Sequence, residues 1–387
     1  MSTSTWNEIR TAIIGVGNCA SSLVQGRFYY ADPEAEIPGL ITKTFSCYRA
    51  CDIRFAAAFD VDERKVGLDL SEAIFAEPNC TTVFQPEITP LDCPVEMGYV
   101  IDSISAHNDL IPEARRFLPA ENIYGSEAEA QEAIVRSLRD NQVDVVINYL
   151  PVGSERNTFF YADCAIEAGC AFVNAVPVFV SQLYGERFRA AGLPVLGDDV
   201  KSQVGATIVH RVLTKLFHDR GHPVKRSYQL NVGGNTDFFN MLDRCRLESK
   251  KISKTQAVVS QMDGQPIDPD DLHIGPSDYV PWLNDNKLCF LRIEAEQFGG
   301  VPMDIEVRLS VEDSPNSAGV MMDAVRAAKV ALDRGLAGPI VEASAYLFKS
   351  PLKQYDDSEA REMLKRFAEV ALEGAEAVAE ESFLLES

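Results

Sequence analysis

Residues 9–20 read Ile9-Arg-Thr-Ala-Ile-Ile-Gly-Val-Gly-Asn-Cys-Ala20, a short apolar strand that runs directly into Gly15-x-Gly17-x-x-Ala20. Gly15 permits a tight turn, Gly17 lets backbone approach a pyrophosphate, and Ala20 is small enough for a helix to pack on the strand. The helix start, from Asn18 and Cys19 to Ser22, offers free N–H groups to phosphates. The pattern predicts a dinucleotide loop at the strand-to-helix junction of a doubly wound α/β sheet.

The chain downstream extends that reading. A second strand, Arg54 to Asp60, ends in a carboxylate suited to ribose hydroxyls, or to capping the segment that starts at Val61. It follows Gly17 by 43 residues, where about 20 is usual, so residues 27–50 read as an insertion. Residues 81–125 are proline-rich and poorly periodic. A helix from Ser126 to Arg139, a strand over 143–150, a helix through Tyr161 and Ala168, and strands over 171–176 and 193–197 restore the alternation of a parallel sheet. Gly197-Asp-Asp-Val-Lys-Ser202 then opens a helix to His218, with Val204, Ile208, Val212 and Phe217 as its apolar side. Asp199 or Ser202 can cap that helix, or hold a phosphate or cofactor. From about 202 to 313 the strands alternate apolar and polar residues, as in a half-buried mixed or antiparallel sheet. A helix resumes over 320–334 in the style of the first part, and residues 356–387 form an acidic, Ala/Glu-rich helical tail.

The 387 residues carry a net charge of −22, which argues against nucleic acid or an anionic membrane as partner. Nine cysteines in no paired framework fit reduced thiols, and no apolar run reaches about 18 residues, so a cytoplasmic protein is expected. His218 and His222 are spaced for a metal, but Gly221 and Pro223 break the helix that would present them. Against this acidity, Lys250, Lys251 and Lys254 stand out. On a helix Lys250 and Lys254 share one face and Lys251 points away. That face is either solvated or gathered round an anion.

Taken together, Gly15 to Ser22, Gly197 to Ser202, Asn231 to Asp237, Ser249 to Lys254, Asp313 to Ser317 and Leu347-Phe-Lys-Ser-Pro351 resemble inositol-1-phosphate synthase of the short actinobacterial type, over roughly residues 9–352. The resemblance implies a Rossmann domain (1–201, completed by 314–355) interrupted by a sheet domain (202–313) used for catalysis and oligomerisation, in a homotetramer. It implies NAD as cofactor, with a divalent or monovalent cation in some members, and glucose 6-phosphate as substrate. The sugar is oxidised at C5, enolised, closed by an intramolecular aldol step and reduced again.

The same resemblance assigns Lys250, Lys254, Lys287 and Lys349 to catalysis, with Asp313 and Asp237 orienting them. It assigns Gly15, Gly17, Asn18, Cys19, Ala20, Asp60, Asp69, Asn141, Tyr161, Asp199 and Ser202 to NAD. Lysines held out of water or among other cations are expected to have lowered pKa values and to shuttle protons. On their own residues, Lys287 also fits a surface loop and Asp313 a plain turn. Two other readings are a two-domain NAD oxidoreductase of the homoserine dehydrogenase kind, which would release net reduced cofactor, and a non-catalytic dinucleotide sensor.

Overall fold

The computed structural model describes residues 8–32, 36–242, 248–261 and 267–369, and within these leaves aside the side chains at 248–251, 254, 269 and 276. β1 (Ile9–Ile14) leads through the glycine loop into α1 (Asn18–Tyr29). A small hairpin, β2 (Thr44–Phe45) and β3 (Tyr48–Arg49), lies in the expected insertion before β4 (Ile53–Asp60). Next come α2 (Leu70–Ala73), β5 (Val95–Met97), α3 (Glu127–Asp140), β6 (Val145–Asn148), α4 (Glu155–Ala168) and β7 (Ala171–Asn174). Short α5 (Val180–Leu183) and α6 (Gly185–Ala190) precede β8 (Pro194–Leu196). A second unit holds α7 (Ala206–Asp219), β9 (Val224–Gly233), α8 (Thr236–Asn240), α9 (Glu248–Val259), β10 (Leu272–Tyr279), β11 (Asn286–Glu296) and β12 (Pro302–Glu312). The chain ends its described part with α10 (Asp313–Asp333), β13 (Gly338–Pro339), α11 (Val341–Leu347) and α12 (Asp357–Glu369).

Seven strands pair in parallel in the order β13-β8-β7-β6-β1-β4-β5. Both faces are covered, so the strands are apolar on both sides. Ile9, Ile13, Phe55 and Val145 pack with Leu23, Met321 and Leu364 in one layer, while Ala12, Ile14, Phe59 and Val146 pack with Ile134 and Phe160 in the other. The strand order reverses at β1, and a ligand crevice forms beyond the carboxyl ends of strands at such a switch point. The second sheet, β10-β9-β11-β12, is mixed: β10 runs parallel to β9 and the other pairs are antiparallel. One face of it takes α7, through Cys289, Leu291 and Ile293 against Val209, Leu213 and Phe217.

Several elements differ from the sequence expectation. α10 starts at Asp313 rather than near 320, because Pro315 is tolerated in a first helical turn, where its missing N–H would be unpaired anyway. β5 and β13 are too short to show a period, and β10 is interrupted by a register shift after Pro276. The stripe Val204, Ile208, Val212 is not the buried side of its helix: Val204 and Val212 are 57% and 54% exposed. The buried side of α7 carries Thr207, His210, Arg211, Thr214 and Phe217. His210 bonds Ser227 Oγ at 2.8 Å and Gln229 Oε1 at 3.3 Å, and burial pushes its pKa down to about 4. The first part of the expected tail is core: Leu364 and Phe367 of α12 are buried in the same layer as α1 and α10.

Candidate active site

Gly15 ends β1 with φ +91°, and a Cβ there would lie 2.9 Å from the Tyr149 carbonyl oxygen. Only glycine makes this turn at that approach. Gly17 caps α1, with open space where a side chain would be. The peptide between them is gripped from both sides. Asp60 Oδ2 accepts from the Val16 N–H at 2.6 Å, while the buried Lys65 Nζ donates to the Val16 carbonyl at 2.7 Å and to Asn79 Oδ1 at 2.9 Å. Asp60 Oδ1 accepts from the N–H groups of Val61 and Asp62 at 2.7 and 2.9 Å. Its position at the end of β4 thus serves the loop and a cap together. Asn18 Oδ1 accepts from the N–H groups of Cys80 and Thr81, and Tyr161 Oη accepts from the Tyr99 N–H at 3.0 Å. Burial, then Asp285, pushes the Cys19 thiol up to about 12, so it stays protonated.

Facing this loop across the same cleft are two lysine–carboxylate pairs. Lys287, near the start of β11, donates to Asp313 Oδ1 at 3.0 Å and sits 5.8 Å from the Phe238 ring centroid. Burial pushes the Lys287 pKa down, but Asp313, with Asp237 and Cys289 behind it, outweighs it and the net shift is upward. Lys349, just after α11, donates to Asp199 Oδ1 at 2.7 Å. The backbone makes the same junction: Lys349 N–H donates to the Asp199 carbonyl at 2.8 Å, and Ser350 and Asp198 exchange two backbone bonds. Asp199 Oδ2 accepts from Ser253 Oγ of α9 at 2.7 Å, and Ser350 Oγ lies 2.7 Å from Ser253 Oγ. Beneath them Asp198 is fully buried, accepting from Asn174 Nδ2 and the Ser181 N–H; burial pushes its pKa up to about 7.

Asn231 to Asp237 brings the end of β9 to the cleft. A Cβ on Gly234 would meet the Val280 carbonyl oxygen at 2.5 Å, so glycine is required for that close approach. Asn235 caps α8 by accepting from the Phe238 N–H and donates to Asp285 Oδ1 at 2.8 Å. Asp285 also accepts from the Ser314 N–H and Oγ at the start of α10. Burial and then the neighbouring Asp313 push its pKa up to about 6.

Residues 205–314 match the family model described as myo-inositol-1-phosphate synthase. The chain is 53% identical over 369 residues to the inositol-3-phosphate synthase of Mycolicibacterium smegmatis, covering 94% of this chain and 98% of that one. It belongs to the myo-inositol-1-phosphate synthase family. The inositol-3-phosphate synthase of Corynebacterium glutamicum is 52% identical over 375 residues, 95% of this chain and 99% of that one. A solved myo-inositol-1-phosphate synthase-related protein from Thermotoga maritima superposes with a TM-score of 0.78 at 25% identity, covering 94% of this chain and 99% of that one. Membership makes the chain an enzyme, an isomerase of the intramolecular-lyase kind.

Within the synthase fold, Gly15, Gly17, Asn18, Cys19, Asp60, Tyr161, Asp199, Ser202, Asp237, Lys287, Asp313 and Lys349 line one cleft. Three expected cofactor residues do not. Ala20 is buried beneath the loop as packing. Asp69 caps α2 and accepts from the N–H groups of Ser71, Leu91 and Cys93, away from the lining of the cleft. Asn141 ends α3, with its amide on Ser137 and its carbonyl accepting from Arg10. Lys250, Lys251 and Lys254 belong to α9, and their side chains lie outside the described residues. Asp285, Asn235, Ser253 and Lys65 escaped the sequence reading. For Asp285 the signal was its place between two asparagines just before Lys287, in a segment that reads as a surface loop. Among the described residues, no three His, Cys, Asp or Glu side chains form a group that could hold a metal ion.

Proposed function

We propose that this chain is an inositol-3-phosphate synthase that converts glucose 6-phosphate to 1L-myo-inositol 1-phosphate with NAD as a recycled cofactor. The observation that carries the reading is the cleft itself, in which Lys287–Asp313 and Lys349–Asp199 face the Gly15–Gly17 loop. The glycine turn, the open space at Gly17 and the Asp60 carboxylate fit a dinucleotide. Asp60 also disfavours a 2′-phosphate by charge. When bound, NAD supplies reversible acceptance of hydride from C5 of the sugar.

The chain's own residues move protons and hold charge. In its neutral amine form Lys349 takes the C5 hydroxyl proton, and Asp199 stabilises the ammonium that results. Lys287, with its raised pKa, stays an ammonium and holds oxyanion or phosphate charge rather than shuttling protons. That revises the expectation of uniformly lowered lysines. Lys254 shares the anionic load, Lys250 completes the cationic wall, and Asp237 and Asp313 orient the set. The substrate phosphate serves as base for enolisation. The cofactor-binding part comprises residues 1–201 and 314–355, and the sheet part 202–313 assembles four chains. The enzyme works in the cytoplasm, without nucleic acid or membrane as partner, and no step above relies on a cation.

The test is phosphorus NMR of glucose 6-phosphate incubated with the full chain and far less NAD than substrate. Inositol phosphate formed over many turnovers per NAD is the expected result. Net accumulation of reduced nicotinamide without it would point instead to a simple oxidoreductase, and NAD binding without any turnover to a sensor.

A further inference from the structure

The buried side of α7 carries an arginine that reaches two other helices at once. Arg211 is 0% exposed. Its Nε lies 3.1 and 3.2 Å from the two oxygens of Asp357, and Nη2 donates to Asp357 Oδ1 at 3.0 Å and to the Tyr355 carbonyl at 3.1 Å. Nη1 donates to the Ala257 carbonyl and to Ser260 Oγ. Tyr355 and Asp357 mark the start of α12, while Ala257 and Ser260 mark the end of α9, the helix on which Lys250 and Lys254 stand.

Asp357 carries a second buried cation. Lys201 Nζ is 3.5 Å from Asp357 Oδ1 and donates to the Ala345 carbonyl at 2.9 Å. Burial, then Arg211, pushes the Lys201 pKa down to about 7. Burial alone would raise the Asp357 carboxyl, but Lys201 and Arg211 hold it below its ordinary value. α12 is a firm support, because Leu364 and Phe367 are sunk in the core of the parallel sheet. α9 belongs to the other unit and is fixed to the cleft at its middle by Ser253 on Asp199. Arg211 fixes its carboxyl end to α12. A fork-shaped guanidinium bound bidentately holds direction as well as distance.

We propose that Asp357 and Arg211 are positioning residues that set the lysine-bearing helix against the cleft, which makes the C-terminal helix part of the catalytic apparatus without touching substrate. The proposal rests on the reading that the α9 lysines act on the substrate. The test uses the full chain with Asp357→Asn, Asp357→Glu and the milder Ser260→Ala. It follows turnover, NAD affinity by calorimetry, and amide hydrogen exchange over residues 252–259.

Asp357→Asn is expected to lower kcat about 10- to 100-fold, as a small misplacement of catalytic groups does, and to leave the NAD Kd within about twofold, since the dinucleotide loop lies elsewhere. Exchange over 252–259 should rise at least about tenfold, with β6 and β7 unchanged. Asp357→Glu should recover most of the turnover, and Ser260→Ala should raise exchange only near the end of α9. Unchanged exchange over 252–259 in both Asp357→Asn and Ser260→Ala overturns the proposal. So does exchange rising everywhere with NAD affinity lost in step, which would mark a group that merely holds the fold. The exchange readout needs no turnover, so a wild-type chain that makes no inositol phosphate would sink the functional reading while the helix clamp is still judged.

Discussion

Two residues, Lys349 in the cleft and the buried Asp285 behind its lining, carry separable predictions. Lys349→Ala removes the group proposed as proton acceptor, held on Asp199, and should cut turnover by about 100- to 10,000-fold, the range for a lost general base. NAD binding by calorimetry should remain within about threefold, because the dinucleotide loop does not depend on it. Loss of both together would show that the pair supports the fold instead. Asp285, hydrogen-bonded to Asn235 and Ser314, is the second group and it titrates. Its folded pKa of about 6 lies above the ordinary 3.8. Between pH 4 and 6 the folded chain therefore holds a proton that the unfolded chain has released. That stabilisation is complete below pH 4 and is lost as the pH rises through 6. Asp285→Asn lacks this term, so it should gain about 2 kcal/mol relative to wild type from pH 4 to pH 7. Denaturant unfolding at several pH values reads the slope, and a variant that loses ground over that window contradicts the assignment.

Among the elements, α12 differs most from its sequence. It opens the stretch 356–387, whose acidic, Ala/Glu-rich composition reads as a surface tail, and charges of both signs dominate the helix itself. The structure turns Leu364, Phe367 and Ala368 inward, at helical spacing, onto the core that also buries Phe45 and Met321. Leu364→Ala should therefore cost about 2–5 kcal/mol in unfolding free energy, against about 0.5 kcal/mol for a surface position. α7 divides its expected stripe: Val212 faces outward, Phe217 packs on the second sheet with Val209 and Leu213, and the buried side also carries His210 and Arg211. Period alone finds a helix but does not say which side meets the sheet.

For the whole molecule, that outward stripe bears on assembly. Val212 and Leu216 are 54% and 52% exposed, four residues apart on one helix. Apolar side chains repeated along one face of a folded chain are a common mark of a covered surface. Under the tetramer reading, Leu216→Lys should shift the mass distribution from four chains toward smaller species at micromolar concentration. Light scattering after size exclusion measures this. A tetramer unmoved by the charge would place the interface on another surface.

Much of this architecture was legible in the linear order of residues. The glycine turn after β1, the strands of the parallel sheet and the change of period near residue 202 are local properties. Each follows from backbone sterics or from side-chain spacing within a few residues. The resemblance to a known family supplied the residue types of the site. Tertiary structure alone decided which charges meet. Asp199 finds Lys349 and Asp357 finds Arg211 across separations of 150 and 146 residues. It likewise decided that Lys287 is driven up in pKa while Lys201 is driven down. Those signs depend on distance and burial, which no short window of sequence contains. The Gly15–Ala20 stretch thus specified a glycine turn between strand and helix by itself, and only packing set the two lysine pairs opposite it.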